Sequence, residues 1–94
     1  WTWLQQQRNR RRLRTDAVLA WLYDLGVVQH ADPRYAHNVE VLRAMSRYQG
    51  GVRNSLRALE VDGLVHRTSP DEWALTDKGV GRARELRTTG RGDS

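Results

Sequence analysis

The sequence contains no cysteine, and it has no apolar run near the roughly 20 residues that a membrane-spanning helix needs. Without cysteine the chain can form neither disulfides nor thiolate metal sites, which fits a reducing compartment. Without a long apolar run or a secretory leader pattern, we expect no transmembrane helix and a cytoplasmic location. The 94 residues suffice for one small domain with one modest core.

Patterns that carry catalytic or metal chemistry are also missing from the sequence. His30, His37 and His66 are scattered without the spacing of metal ligands, so we expect no metal and no cofactor. The chain has no phosphate-binding glycine loop, no Ser-His-Asp or Cys-His set, and no paired carboxylates in a plausible cleft. We therefore predict that the protein is not an enzyme.

Positive charge is plentiful, and it is concentrated in two stretches. The formal net charge is +5, and Lys78 is the only lysine among 16 basic residues. Residues 1–14 contain five arginines and no acid, and residues 47–67 contain four arginines against two acids. Arginine presents a planar fork that suits phosphates and guanine edges. Basic patches of this kind favour polyanionic partners, and nucleic acid comes first among them.

The basic N-terminal stretch, residues 1–14, leaves two alternatives open. It is either an arm that enters a DNA groove, with Arg11 and Arg12 as contacts, or the solvated side of an extended first helix. Trp1 and Trp3 either pack locally or contribute to a dimer. The chain begins with Trp1, so we also consider it as a piece of a larger parent protein.

Two amphipathic helices are predicted in the first half of the chain. The first begins with Thr15 as its N-cap and stops at Gly26. Val27 and Val28 follow as a short β segment. A second helix spans roughly 35–46, with its own apolar side.

A turn with two adjacent glycines leads to a third helix. Gly50 and Gly51 provide the backbone freedom that a sharp turn needs. The third helix runs over about 51–62, and Gly63 ends it in the left-handed conformation. Three apolar residues repeat at helical spacing on one side of this helix: Val52, Leu56 and Leu59.

The last third of the chain is predicted as strand, turn, strand and helix. Residues 64–68 and 73–75 form the strands around a turn at residues 69–72. Trp73 is expected in the core rather than as a stacking platform. Thr76 caps a last helix over about 76–88, and residues 89–94 are expected to be a disordered tail. The fold class is therefore α+β and mostly helical.

Two motifs, SLRALEVDGLVHR at residues 55–67 and WALTDKG at residues 73–79, resemble the winged helix-turn-helix domain of the bacterial MarR and PadR regulators. The resemblance covers about residues 15–88. It implies a three-helix core, a two-stranded wing and a C-terminal helix. It also implies sequence-specific binding to double-stranded DNA, as a transcriptional regulator or as the DNA-reading module of a larger bacterial, phage or plasmid protein. A homodimer on two half-sites would be typical of the family.

In such a domain the N-terminal half of the third helix meets base edges in the major groove. Arg53 and Arg57 match guanine, and Asn54 matches adenine. The alternative is that these three residues form no more than a solvated face. Further predicted DNA contacts are the turn residues Arg47, Tyr48, Gln49 and Gly51, and Arg67 of the wing.

Two competing functions follow from the same sequence. A winged helix used for protein–protein assembly would need an exposed apolar patch on the third helix. RNA or single-strand binding normally needs exposed aromatics on the binding face, where only Tyr48 is a candidate.

The turn at residues 69–72 is acidic, so we expect the wing tip to be short or to avoid phosphates.

Overall fold

A computed structural model describes the backbone of residues 3–46 and 49–93 and the side chains of residues 14–46 and 50–88. Within these ranges the protein is α+β, mostly helical, as predicted. The elements in chain order are α1 (Trp3–His30), β1 (His37–Asn38), α2 (Val39–Met45), a short 3-10 helix (Gln49–Gly51), α3 (Val52–Val61), β2 (Val65–Ser69), β3 (Glu72–Leu75) and α4 (Asp77–Asp93).

Helix α1 is much longer than the sequence pattern suggested. It begins at Trp3, so Thr15 is an interior residue rather than an N-cap, and the backbone of the arginine-rich segment is helical. The predicted stop at Gly26 and the β segment after it are wrong, because the helix continues to His30. Ala31 still donates its N–H to the carbonyl of Val27 at 3.1 Å, and its left-handed φ of 53° ends the helix.

Gly26 has a packing role instead of a terminating one. The chain turns back after α1, and the Asp32 N–H donates to the Gly26 carbonyl at 3.0 Å. A Cβ at Gly26 would collide with the Asp32 carbonyl oxygen. Only glycine therefore lets the loop cross the helix this closely.

The segment before α2 is a strand, which the sequence did not suggest. We expected helix from residue 35, but β1 occupies His37–Asn38 and α2 starts at Val39. Asn38 is the N-cap of α2, and its side-chain oxygen accepts the Glu40 N–H at 2.8 Å. His37 lies opposite Trp73 in the sheet, so a partner remote in sequence decides the strand.

The sheet has three antiparallel strands in the order β1-β3-β2. The β2–β3 hairpin confirms the two predicted strands, with Val65 opposite Leu75 and Arg67 opposite Trp73. An irregularity in register follows Arg67, and the connecting turn contains only residues 70–71.

One core joins the four helices to a face of the sheet. Trp73 is 2% exposed, which confirms it as a core residue. The predicted apolar side of α3 is buried in the same cluster. Gly63 has a φ of 75°, which confirms its role as the stop of α3.

The start of α4 is as predicted, and its end is not. The Thr76 hydroxyl donates to the Gly63 carbonyl at 2.6 Å and accepts the Gly79 N–H at 3.1 Å. Thr76 thus caps α4 and ties its start to the end of α3. The expected tail at residues 89–94 differs from the structure, where α4 continues to Asp93.

Candidate nucleic-acid interface

Helix α3 has one buried side and one exposed side. Val52, Leu56 and Leu59 are at most 2% exposed, and they anchor the helix in the core. The opposite side, which we call the outer face of α3, is made up of residues three or four positions apart. The outer face consists of Arg53, Asn54, Arg57, Glu60 and Val61.

Arg53 is the least accessible side chain of the outer face. Its Nη2 donates to Oδ1 of Asp71 at 3.0 Å, and the side chain is 30% exposed. Asp71 belongs to the turn between β2 and β3, 18 positions further along the chain. The first of the predicted base readers is therefore already in an ion pair, which the sequence pattern did not reveal.

Asp71 is itself held by the backbone. Its carbonyl accepts the N–H of Val39, the first residue of α2, at 2.8 Å. Its carboxylate contacts Arg53 and remains 59% exposed. The short turn thus connects the start of α2 to the outer face of α3. The expectation of a short hairpin tip agrees with this geometry.

Asn54 and Arg57 differ from Arg53 in having no side-chain partner among the described residues. Both side chains are exposed. Among the residues whose side chains are described, neither takes part in a hydrogen bond or an ion pair. A ligand that bound their donors and acceptors would therefore displace no contact to a described residue.

Arg67, the predicted wing contact, lies exposed on β2 beside Trp73. Its guanidinium carbon is 5.9 Å from the centroid of the Trp73 ring, within range of a cation–π interaction. The two residues face each other across the hairpin, so their side chains share one side of the sheet. Arg67 is thus an exposed residue whose guanidinium lies over a buried indole.

Most other described arginines have a carboxylate partner. These pairs are Arg34–Asp77 at 2.6 Å, Arg43–Glu40 at 2.7 Å, Arg87–Asp24 at 2.7 Å, and Arg82 with Asp16 at 3.9 Å and Glu85 at 3.4 Å. Besides Arg57 and Arg67, Arg84 also has no acidic partner in the described part of the chain, and it donates to the Tyr23 hydroxyl at 3.3 Å. Two of these three arginines are on α3 and the adjoining hairpin.

Five of the predicted DNA contacts have side chains outside the described set. Arg47 and Tyr48 lie outside the described residues, and the side chains of Gln49, Arg11 and Arg12 lie outside the described set. The backbone of Gln49 belongs to the 3-10 helix, and that of Arg11 and Arg12 to α1.

Gly51 occupies the cap position before α3. Its φ of −88° and ψ of −12° are ordinary right-handed values, which any residue can adopt. A Cβ at this position would meet no atom of the described residues within 4 Å. The glycine is therefore not required by the turn itself, and the open space lets a ligand approach the backbone.

An aromatic cluster that the sequence pattern did not predict joins the end of α1 to the start of β1. The His30 and Tyr35 rings stack with centroids 3.5 Å apart, and the His37 ring is 5.6 Å from that of Tyr35. Burial lowers the pKa of His37 below its ordinary value, and the nearby His30 lowers it further. The buried Nε2 of His37 has no hydrogen-bond partner among the described residues.

Comparisons with protein-family models, with curated proteins and with solved structures gave no match. Across the part of the chain that the structure describes, no helix is long and apolar enough to cross a membrane. In the same residues, no group of three or more histidines and carboxylates is arranged to hold a metal ion.

Proposed function

We propose that this chain is a winged helix-turn-helix domain that binds double-stranded DNA sequence-specifically, with α3 in the major groove. The order of elements supports the proposal, because α2 and α3 follow each other across a short turn and the β2–β3 hairpin comes directly after α3. In this proposal the hairpin is the wing, and β1 completes its sheet.

The observation that carries the proposal is the exposed, cationic outer face of a helix whose other side is buried. A helix anchored in this way can enter the groove as a rigid element. Arg57 and Arg53 would donate to guanine O6 and N7, and Asn54 would pair with adenine. Arg67 would contact a phosphate and so position the domain rather than read sequence.

The biological setting that we propose follows from the resemblance to MarR and PadR regulators. The domain would act as a transcriptional regulator or as the DNA-reading module of a larger protein. It would work in the cytoplasm, where bacterial or phage DNA is accessible. Binding as a homodimer on two half-sites is part of the same proposal.

The test is selection of binding sites from a random duplex pool, followed by fluorescence anisotropy at two salt concentrations. Selected duplexes should bind on the order of 10³-fold more tightly than the pool. Arg53→Ala should cost roughly 1–3 kcal/mol on selected duplexes and relax the choice at one base position. Equal losses on every duplex would remove the base-reading role and leave a phosphate contact.

Protein–protein assembly is the second candidate, and one observation favours it. Val61, one turn after Arg57 on the outer face, is 87% exposed. A large apolar side chain at that position could contact another protein. Absence of DNA binding at low salt, together with self-association that Val61→Ser abolishes, would put this function first.

A further inference from the structure

We propose that Asp71 is a positioning residue for specificity: it restrains Arg53 from binding phosphates and directs it to a base edge. This inference rests on the proposed function, because it assumes that the outer face of α3 meets DNA. It concerns a residue in the turn between β2 and β3 that would not itself read a base.

Asp71 is suited to hold Arg53 because its own position is held. Its carbonyl oxygen accepts the Val39 N–H at 2.8 Å, at the junction of β1 and α2. The turn around it contains only two residues, so it has little room to move. The backbone of Asp71 is therefore held in place, and its carboxylate lies 3.0 Å from the Arg53 Nη2.

The ion pair uses only part of the hydrogen-bonding capacity of Arg53. A guanidinium has five N–H donors, and one contact to Oδ1 of Asp71 leaves the other donors available. A guanine edge offers two neutral acceptors, O6 and N7, which need correctly aimed donors rather than net charge. Arg53 can therefore contact guanine without giving up Asp71.

A phosphate would gain much less from Arg53. Its attraction depends on the net positive charge that it meets, and a carboxylate 3.0 Å away cancels most of that charge. Arg57 has no such partner among the described residues and keeps its full attraction for phosphates. The two arginines would thus differ in role, with Arg53 the more selective.

The experiment compares wild-type protein with Asp71→Asn on a selected duplex and on the random pool, at several salt concentrations. The substitution keeps the side-chain size and leaves the backbone bond to Val39 in place. We expect affinity for the random pool to rise roughly twofold to fivefold, because Arg53 becomes available to phosphates. The salt dependence should steepen by about 0.9 in log–log slope, the value for one added phosphate contact.

Two variants make the result specific to the pair. Glu60→Gln removes the same charge from the outer face of α3, at a residue with no described ion-pair partner, and should change selected and random affinities equally. In an Arg53→Ala background, Asp71→Asn should no longer raise affinity for the random pool. Thermal melts followed by circular dichroism verify that each variant is folded.

The possible outcomes separate this inference from the proposed function. A lower ratio of selected to random affinity in folded Asp71→Asn, absent in the Arg53→Ala background, supports the role of Asp71. An unchanged ratio while the wild type discriminates between duplexes overturns this inference alone. An equal effect of Asp71→Asn with and without Arg53 also overturns it, since a general charge effect would explain it. A wild type that binds no DNA overturns both proposals.

Discussion

The two sides of this molecule use arginine in different ways. On the α1–α4 side, Arg87 donates to Asp24 at 2.7 Å and Arg82 lies 3.9 Å from Asp16, so charges link two packed helices. On the outer face of α3, Arg57 has no described partner, and Arg53 is bound to a residue of a loop. Both sides contain arginines, so arginine content alone does not distinguish them, whereas the positions of the carboxylates around the arginines do.

The largest expected effect is the loss of folding stability when the buried side of α3 is truncated. Leu56→Ala removes a fully buried side chain and should lower the free energy of unfolding by about 2–5 kcal/mol. Val61→Ala, on the exposed side of the same helix, should change it by less than about 0.5 kcal/mol. Urea unfolding measures both, and comparable losses would mean that α3 is not anchored as described.

The next prediction compares an arginine from each side of the molecule. Arg57→Ala should weaken binding to a selected duplex by roughly 1–3 kcal/mol. Arg84→Ala is the matched control, because Arg84 is exposed on α4 and also has no described acidic partner. Anisotropy titrations measure both, and a loss for Arg84→Ala as large as that for Arg57→Ala would break the distinction between the two sides.

A smaller effect is expected at the cluster that joins the end of α1 to β1. The folded-state pKa of His37 is lowered, so the unfolded chain binds more protons at mildly acidic pH. The stability that this provides is present above the unfolded pKa of about 6.5 and is lost as the pH falls from there toward the folded pKa. His37→Gln should flatten the dependence of unfolding free energy on pH as the pH falls below about 6.5.

The control for this titration is His66→Gln. His66 is exposed on β2 and lies outside the aromatic cluster. A flattening in His37→Gln that exceeds any change in His66→Gln assigns the effect to His37. Equal flattening by both variants would show that His37 is not the group responsible.

The smallest effect is expected for the ion pairs of the α1–α4 side. Both side chains of the Arg87–Asp24 pair are more than 40% exposed, so the pair should contribute only about 0.2–1 kcal/mol to stability. A double-mutant cycle with Arg87→Ala and Asp24→Ala measures this coupling. The DNA affinity of these variants should not change. A loss of binding free energy above about 1 kcal/mol would mean that this side of the molecule also contacts DNA.

Local patterns predicted the parts of the fold that depend on nearby residues. The apolar repeat of α3, its glycine stop at Gly63 and the Thr76 cap were readable because each involves neighbours within one or two helical turns. The β2–β3 hairpin was readable for the same reason, since its turn is short and its strands adjoin. The outer face of α3 followed directly from the helical repeat.

Two of the errors arose where parts remote in sequence meet, and a third arose where the chain folds back on the end of α1. Gly26 has the properties of a helix stop, but its lack of a side chain serves the crossing loop at Asp32. Strand β1 is defined by its pairing with β3 and has only two residues, so it is too short for an alternating apolar and polar pattern to predict it. The prediction for Arg53 was incomplete for the same reason, because its carboxylate partner, Asp71, comes from the hairpin turn.

By itself, the sequence determined the amphipathic division of α3, the hairpin after it and the charges exposed on the outer face. Those features depend on side-chain identity and on the fixed period of a helix or strand. Only the tertiary structure decided which of those charges are neutralised. Ion pairing requires atoms within a few ångströms, and the docking of the hairpin turn beside α2 brings Asp71 to Arg53 while leaving Arg57 without a carboxylate among the described residues.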